Sequence, residues 1–390
     1  MKLWSPAVSM SPAPLALTFS AATVGRRRGY ALVANHALGE APSLVLHELP
    51  FVVRKTRTTH YRDANVARMP RYPFEPMFQS MSVMNPEARF DHVDIIINRN
   101  SLTHLLRFAN GTGQKAFRLD LAMVHNTLVV TPVWEKITEA KRHKTNYGRE
   151  FEDLFVRRRP DMQDSSTHHR AIRYSMGSLS CAVLLEIDAT VDRFDELKSS
   201  PLHKHWRFLS QPRSLSHQEL SEEGLPRTDA EASLFGSLDT ANLQVPRPKH
   251  CPHSMVIPRG RGTLSSTAAE LVMTKGRAAK KNRQLWLGRT PYCVRGSHMD
   301  ANFTRVDVIY YGTSFRAFEI ENQDGLQRLV SLIKQLRQFA INATDQSCIV
   351  IYNKAVRPFA LRVFEHEKTP RPPLPEDLRS HFWTEARAET

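Results

Sequence analysis

The stretch Ser180–Thr190, reading Ser-Cys-Ala-Val-Leu-Leu-Glu-Ile-Asp-Ala-Thr, constrains the fold more than any other part of the chain. Side chains on a strand alternate between two faces. As one strand, it puts Cys181, Val183, Leu185, Ile187 and Ala189 on a wholly apolar face that must be buried. The other face runs Ala182, Leu184, Glu186, Asp188, Thr190 and ends in two carboxylates. Like charges at i and i+2 repel one another and cost desolvation at the end of an apolar run. A structural strand has little reason to carry that cost, whereas a cation site has one. A third acid, Glu270, stands alone in a second strand-like run, Thr263–Thr274, on the face that also holds Ala268 and Val272.

The chain has 390 residues, enough for one large domain or two ordinary ones. No run approaches the roughly 18 apolar residues of a membrane span, so no membrane crossing is expected. Cys181, Cys251, Cys293 and Cys348 are widely scattered, which suits free thiols in a reducing intracellular compartment, nucleus or cytoplasm. The net charge of +15 implies affinity for a polyanion, either nucleic acid or an anionic surface. Residues 1–39 carry Lys2 and Arg26–Arg28 but no acid, the composition of either a mitochondrial transit peptide or a plain disordered tail. Residues 54–73 are again basic, and 1–75 is expected to lie mostly outside the core, as a disordered or targeting extension.

Periodicity places a strand at Val93–Ile97 and then a helix through Leu102, Leu105, Leu106 and Ala109, with Asn100-Ser101 as its cap and Gly111 and Gly113 at its end. Phe117–Val124 and Thr127–Val133 form a hairpin around His125-Asn126. Tyr147–Glu152 reads as a helix start, and Ala171–Met176 with Gly177-Ser178 as the first arm of a hairpin that delivers Glu186 and Asp188. Residues 196–262 have little periodicity and read as an insertion within one domain; His250-Cys251-Pro252-His253 inside it lacks the second pair that a zinc site needs. Gln284–Leu287 is a helical turn, Pro291–Arg295 and Phe303–Tyr310 are strands, and Asn322–Ala343 is the best helix of the chain. Strands at Cys348–Tyr352 and Phe359–Phe364 and a Pro-rich stretch, 369–375, complete the core, with 385–390 as a tail. The expected class is α+β, a single domain over 76–384 with a central mixed sheet flanked by helices. Arg157, Arg158, Arg159, His169, Arg277, Lys280, Lys281 and Arg283 are the candidate contacts to a nucleic acid.

The acids follow the order Glu152, then Glu186-Ile187-Asp188, then Glu270, with Gln284 after them. Two or three carboxylates that hold Mg²⁺ or Mn²⁺ at a phosphodiester can activate water and neutralise a leaving oxygen. This order resembles the PD-(D/E)XK nucleases, and more narrowly the decapping exoribonuclease (DXO) family. Its Gly-Tyr-x-Phe-Glu, Glu-x-Asp and Glu-Leu-Lys motifs and following Gln fall on Glu152, Glu186 and Asp188, Glu270-Leu271 and Gln284. The chain is also similar to fungal proteins of unassigned activity, through Met84-Asn85-Pro86, Asp94–Asn100, Glu186–Ala189, Gln284–Pro291 and Leu374-Pro375-Glu376. Some of these are labelled geranylgeranyl diphosphate synthases, but the chain has no adjacent Asp pair of the kind those enzymes use.

The resemblance implies a metal-dependent enzyme that processes RNA 5′ ends, by decapping, pyrophosphohydrolysis or exoribonuclease action. Glu152, Glu186, Asp188 and Glu270 would be the metal ligands and Gln284 would assist. The pattern departs at two points: the first motif reads Tyr147-Gly148 rather than Gly-Tyr, and the family's lysine falls at Val272, which cannot orient water or balance phosphate charge. Lys275 is the nearest replacement, though it points to the other face of a regular strand. The alternatives are a non-catalytic RNA-binding or scaffold protein of the same fold, with a protein partner, and a set of acids that merely pair with surface arginines.

Overall fold

In the computed structural model the chain is described over residues 10–23, 34–38, 41–54, 60–61, 63–113, 115–136, 138–139, 147–163, 165–191, 194–202, 206–210, 254–257, 263–273, 279–356 and 359–384. The mixed sheet expected in an α+β domain comes as two large mixed sheets, and the acidic run lies where the chain passes from one to the other.

The first sheet is built around Ile95–Asn98 and Leu179–Glu186, which pair in parallel, Cys181 opposite Ile95 and Val183 opposite Ile97. Outward on one side come Ser165–Met176, Met10–Thr23, Ala34–Leu38 and Ser254–Ile257; on the other come Thr127–Val133, Phe117–Val124, Ser347–Tyr352 and Leu361–Phe364. Both faces are buried. Cys181, Val183 and Leu185 join the helices Arg99–Ala109 and Gln323–Asn342 through Leu102, Leu105, Leu329 and Ile333. Ala182 and Leu184 pack toward Phe78, Phe90, Phe382 and Trp383.

The second sheet contains Val156–Arg157, Ser43–Leu44, Ala189–Thr190, Ala268–Met273, Tyr292–Met299, Asn302–Tyr310 and Trp206–Ser210, in that order. Ala269, Leu271, Val294, Val306 and Val308 bury one of its faces against Phe151 and Phe155. Val272, Cys293 and Ile309 meet Leu285 and Tyr311 on the other. The helix Ala279–Leu287 wedges between the two sheets, with Leu285 on the second and Trp286 and Leu287 in the core of the first.

Three expectations need correction. Ser180–Thr190 is not one strand. Pairing in the first sheet ends at Glu186, and Ala189–Thr190 starts a two-residue strand in the second. Ile187 and Ala189 therefore enter different apolar clusters from Leu185. Residues 41–54 and 63–75 are not outside the core, because Leu44, Leu46, Leu49 and Val53 fill the core of the second sheet and Phe74 that of the first. The helix Arg99–Ala109 starts earlier than its expected cap: Asn98 accepts the N–H of Ser101 at 2.8 Å. The hairpin at His125-Asn126 forms where expected, with His125 at φ 49°. Cys181, Cys293 and Cys348 are buried free thiols. Cys251 and the rest of the His250–His253 stretch lie outside the described residues. Among the described residues no helix is long and apolar enough to cross a membrane.

Candidate active site

The crossing between the sheets gathers acids from three directions. Glu186 ends Leu179–Glu186, where it pairs in register with His169. The backbone is anchored one residue later by the Ile187 N–H, which donates to the carbonyl of His168 at 2.8 Å. Asp188 precedes the short strand Ala189–Thr190, which pairs with Ala268 and Ala269 on one side and with Ser43 on the other. Beyond that pairing the next N–H of the neighbouring strand, that of Leu271, donates to the Asp188 carboxylate at 2.8 Å. Glu270, the residue before Leu271, is thereby fixed beside Asp188.

Glu152 arrives on the helix Gly148–Leu154. Phe151 holds this helix on the second sheet, its ring stacked on Phe303 with centroids 5.0 Å apart and planes at 9°. Gly296 makes room for the stack: a Cβ there would come within 2.7 Å of both rings. Gln284, on the wedge helix, donates to Glu270 at 2.9 Å.

Two arginines that the sequence reading did not single out enter this acidic centre. Arg149 Nη1 lies 3.1 Å from Glu152 and 3.7 Å from Glu186. Arg99 Nη1 pairs with Glu270, which is 3% exposed. Arg99 opens the helix capped by Asn98, and Asn98 in turn donates to Asp63 at 3.0 Å. Asp63 caps the helix Ala64–Arg68 and feels the charge of Glu186. Gly288 leaves the passage for Arg99: a Cβ there would stand 3.1 Å from Nη1 and 2.9 Å from Leu185. The sequence held one signal for Arg99, its place at the first position of a capped helix directly after a buried strand.

Two arginines do not balance four acids. Burial raises Asp188 well above the usual carboxylate range, and the charges of Glu270, Glu152 and Glu186 add to the effect. Burial likewise pushes Glu152 up to about 7; Arg149 opposes that shift, while Glu186 and Glu270 reinforce it. Burial works against the charge of Arg149, but Glu186, Glu152 and Asp188 outweigh it and hold this guanidinium above its ordinary value.

The donor set is all carboxylate and amide oxygen, which suits a hard divalent cation such as Mg²⁺ or Mn²⁺. The excess negative charge gives such a cation an electrostatic reason to enter. As placed, no group of three or more His, Cys, Asp or Glu among the described residues is arranged to hold a metal ion. Arg149 and Arg99 occupy part of that role.

Val272, at the position of the expected lysine, is 4% exposed and packs among Leu285, Cys293, Ile309 and Tyr311. Lys275 and Arg277 lie outside the described residues, as do the side chains of Lys280 and Lys281. Arg283 is half-buried, facing the charge of Arg107. Arg157 is exposed, Arg158 pairs with Asp153 at 3.5 Å, and Arg159 pairs with Asp161 at 3.1 Å. His169 is buried between Asn65 and Thr167, and burial, with Arg68 nearby, lowers it to about 3, which keeps it neutral.

A domain of unknown function (DUF8563) has a family model that matches residues 30–204 and 262–383. No curated protein matches the chain. Among solved structures the chain is distantly similar to S. pombe Rai1, at 9% identity and a TM-score of 0.49, covering 92% of this chain and 96% of that one. It is similar to Scheffersomyces stipitis Rai1 at 13% identity and a TM-score of 0.47, covering 88% and 95%. It is also similar to K. lactis Dxo1 in complex with manganese, at 8% identity and a TM-score of 0.41, covering 92% and 100%.

Proposed function

The chain belongs to the DUF8563 family, and we propose that its acidic centre takes up Mg²⁺ or Mn²⁺ and acts on the 5′ phosphates of RNA, as a pyrophosphohydrolase, decapping enzyme or exoribonuclease. One observation carries the reading: buried Asp188 sits in the combined negative field of Glu270, Glu152 and Glu186. Four acids drawn to one crossing point from two sheets and a helix destabilise the fold unless a ligand repays the repulsion.

Glu152, Glu186, Asp188 and Glu270 would hold the cation, and Gln284 and the Leu271 N–H orient Glu270 and Asp188. When bound, such a cation polarises a phosphoryl oxygen and makes a water nucleophilic. Glu152, raised to about 7 without a cation, would give up that proton as a cation enters. Arg149 must loosen its hold on Glu152 and Glu186 for both to serve as ligands. Its guanidinium is then free to pair with phosphate.

A second reading, RNA binding without hydrolysis, rests on Val272. Its apolar surroundings leave no amine at the position where the lysine of the resembling nucleases would stand. Hydrolysis of 5′-triphosphate and capped RNA with Mn²⁺, beside the Glu186→Ala, Asp188→Ala double variant, separates the two. Turnover by the native chain alone supports the enzyme. Equal product from both proteins removes it.

A further inference from the structure

The face of the second sheet that bears Glu270 also bears a cluster of arginines with too few acids. Asp307 is wholly buried. It accepts Arg207 Nε at 2.7 Å and Arg295 Nη2 at 2.7 Å, and Arg305 Nε lies 3.6 Å away. One carboxylate thus stands among three guanidinium groups, and no other acid among the described residues pairs with them. Arg207 and Arg305 are each 49% exposed. Arg295, at 21%, is the inner member and spends two nitrogens on Asp307.

The strand register aligns this cluster with the acids. Val272 pairs with Arg295, Arg295 with Asp307, and Asp307 with Arg207, forming one row across four strands. Glu270 precedes Val272 by two residues and shares its face. Three strand spacings, about 14 Å, separate the Val272 strand from Arg207. That span suits the backbone of a few nucleotides better than a single phosphate.

A structural pairing needs one or two arginines on Asp307. The third leaves two uncompensated positive charges beside the half-exposed Arg207 and Arg305. Arg207 binds Asp307 through Nε alone, so its two terminal nitrogens remain for another acceptor. Forked, permanently charged donors of this kind match phosphate oxygens.

We propose that Arg207 and Arg305, braced by Asp307 and Arg295, form a phosphate-backbone subsite for single-stranded RNA whose 5′ end lies at the acids. The subsite itself stands on the arginine geometry. Only the direction of the strand rests on the function proposed above.

The test is fluorescence-anisotropy binding of 5′-monophosphorylated RNA of about 2 nucleotides, too short to span about 14 Å, and of about 12 nucleotides, in EDTA, across a salt series. The native chain is compared with Arg207→Gln, Arg305→Gln, which keeps the Arg295–Asp307 pair, and with Arg305→Gln alone, which removes only the loosest contact. Loss of two phosphate contacts is expected to lower the salt slope for the longer RNA by about 1.4 and leave the short RNA unchanged. The single variant is expected to show about half of that change. An unchanged slope in folded variants overturns the subsite. So does competition by polyglutamate that depends on the same two arginines, which would mark an acidic-protein site instead. Because EDTA removes any cation, loss of this subsite and loss of the proposed activity read out separately.

Discussion

Asp188 accepts the backbone N–H of Leu271 at 2.8 Å. That single bond ties the end of the first sheet to the second, next to Glu270. The carboxylate therefore has a structural task and an electrostatic liability together. Asp188→Asn keeps an acceptor oxygen and removes the charge, so its thermal midpoint at pH 8 is expected to equal or exceed the native value. Asp188→Ala leaves the N–H without this acceptor and is expected to cost about 1–3 kcal/mol in denaturant unfolding. Equal midpoints for the two variants would mean that the bond contributes nothing.

The pH dependence follows from Glu152. Its carboxyl titrates near 4.5 when unfolded and about 7 in the fold, so the folded chain binds the extra proton between those values. This group's contribution to stability is greatest below 4.5 and is lost as pH rises through 7. Asp188, also raised, adds to the same trend. The midpoint difference between the native chain and Glu152→Gln, measured from pH 4.5 to 8, should move against the native chain as pH rises. A difference that is flat, or that moves the other way, contradicts the proposed burial of this acid.

Arg99 and Glu270 should behave as a buried pair. Arg99→Met strands a carboxylate that is 3% exposed and is expected to cost about 3–5 kcal/mol. Adding Glu270→Gln should recover most of the loss. Gly288→Ala, by crowding the Arg99 head group and Leu185, should destabilise in the same direction. Additive losses in the Arg99, Glu270 double variant would show that the pair is not coupled.

Val272→Lys asks a charge to enter the pocket of Leu285, Cys293, Ile309 and Tyr311. The expected result is a fall in stability that deepens as pH drops, because burial disfavours the ammonium form. Chemical denaturation at pH 6 and pH 9 checks it. Equal stability to the native chain at both values would show that residue 272 is not enclosed by these four side chains.

Much of this was legible in the sequence. The helix expected at Asn322–Ala343 spans Gln323–Asn342, because its apolar period of 3.6 extends over five turns. Phe339 is the exception on its expected face, 52% exposed. The acids in Ser180–Thr190 and Glu270 meet, since both runs are apolar enough to demand burial. The break after Glu186 was hidden because Ile187 and Ala189 keep the alternation while changing sheets. Leu44, Leu46 and Leu49 were hidden for a different reason, a short aliphatic run set between basic stretches that read as tail. Arg99 and Arg149 carried little signal because their acids are distant in sequence or belong to the site itself.

The central claim is that the acids gathered around Asp188 form a divalent-cation site. Mn²⁺ titration followed by electron paramagnetic resonance at pH 7.5 tests it most directly, with the native chain beside Glu186→Ala, Asp188→Ala. The account predicts saturable Mn²⁺ binding by the native chain and its loss in the double variant. Equal binding by both proteins, or none by the native chain, would contradict it.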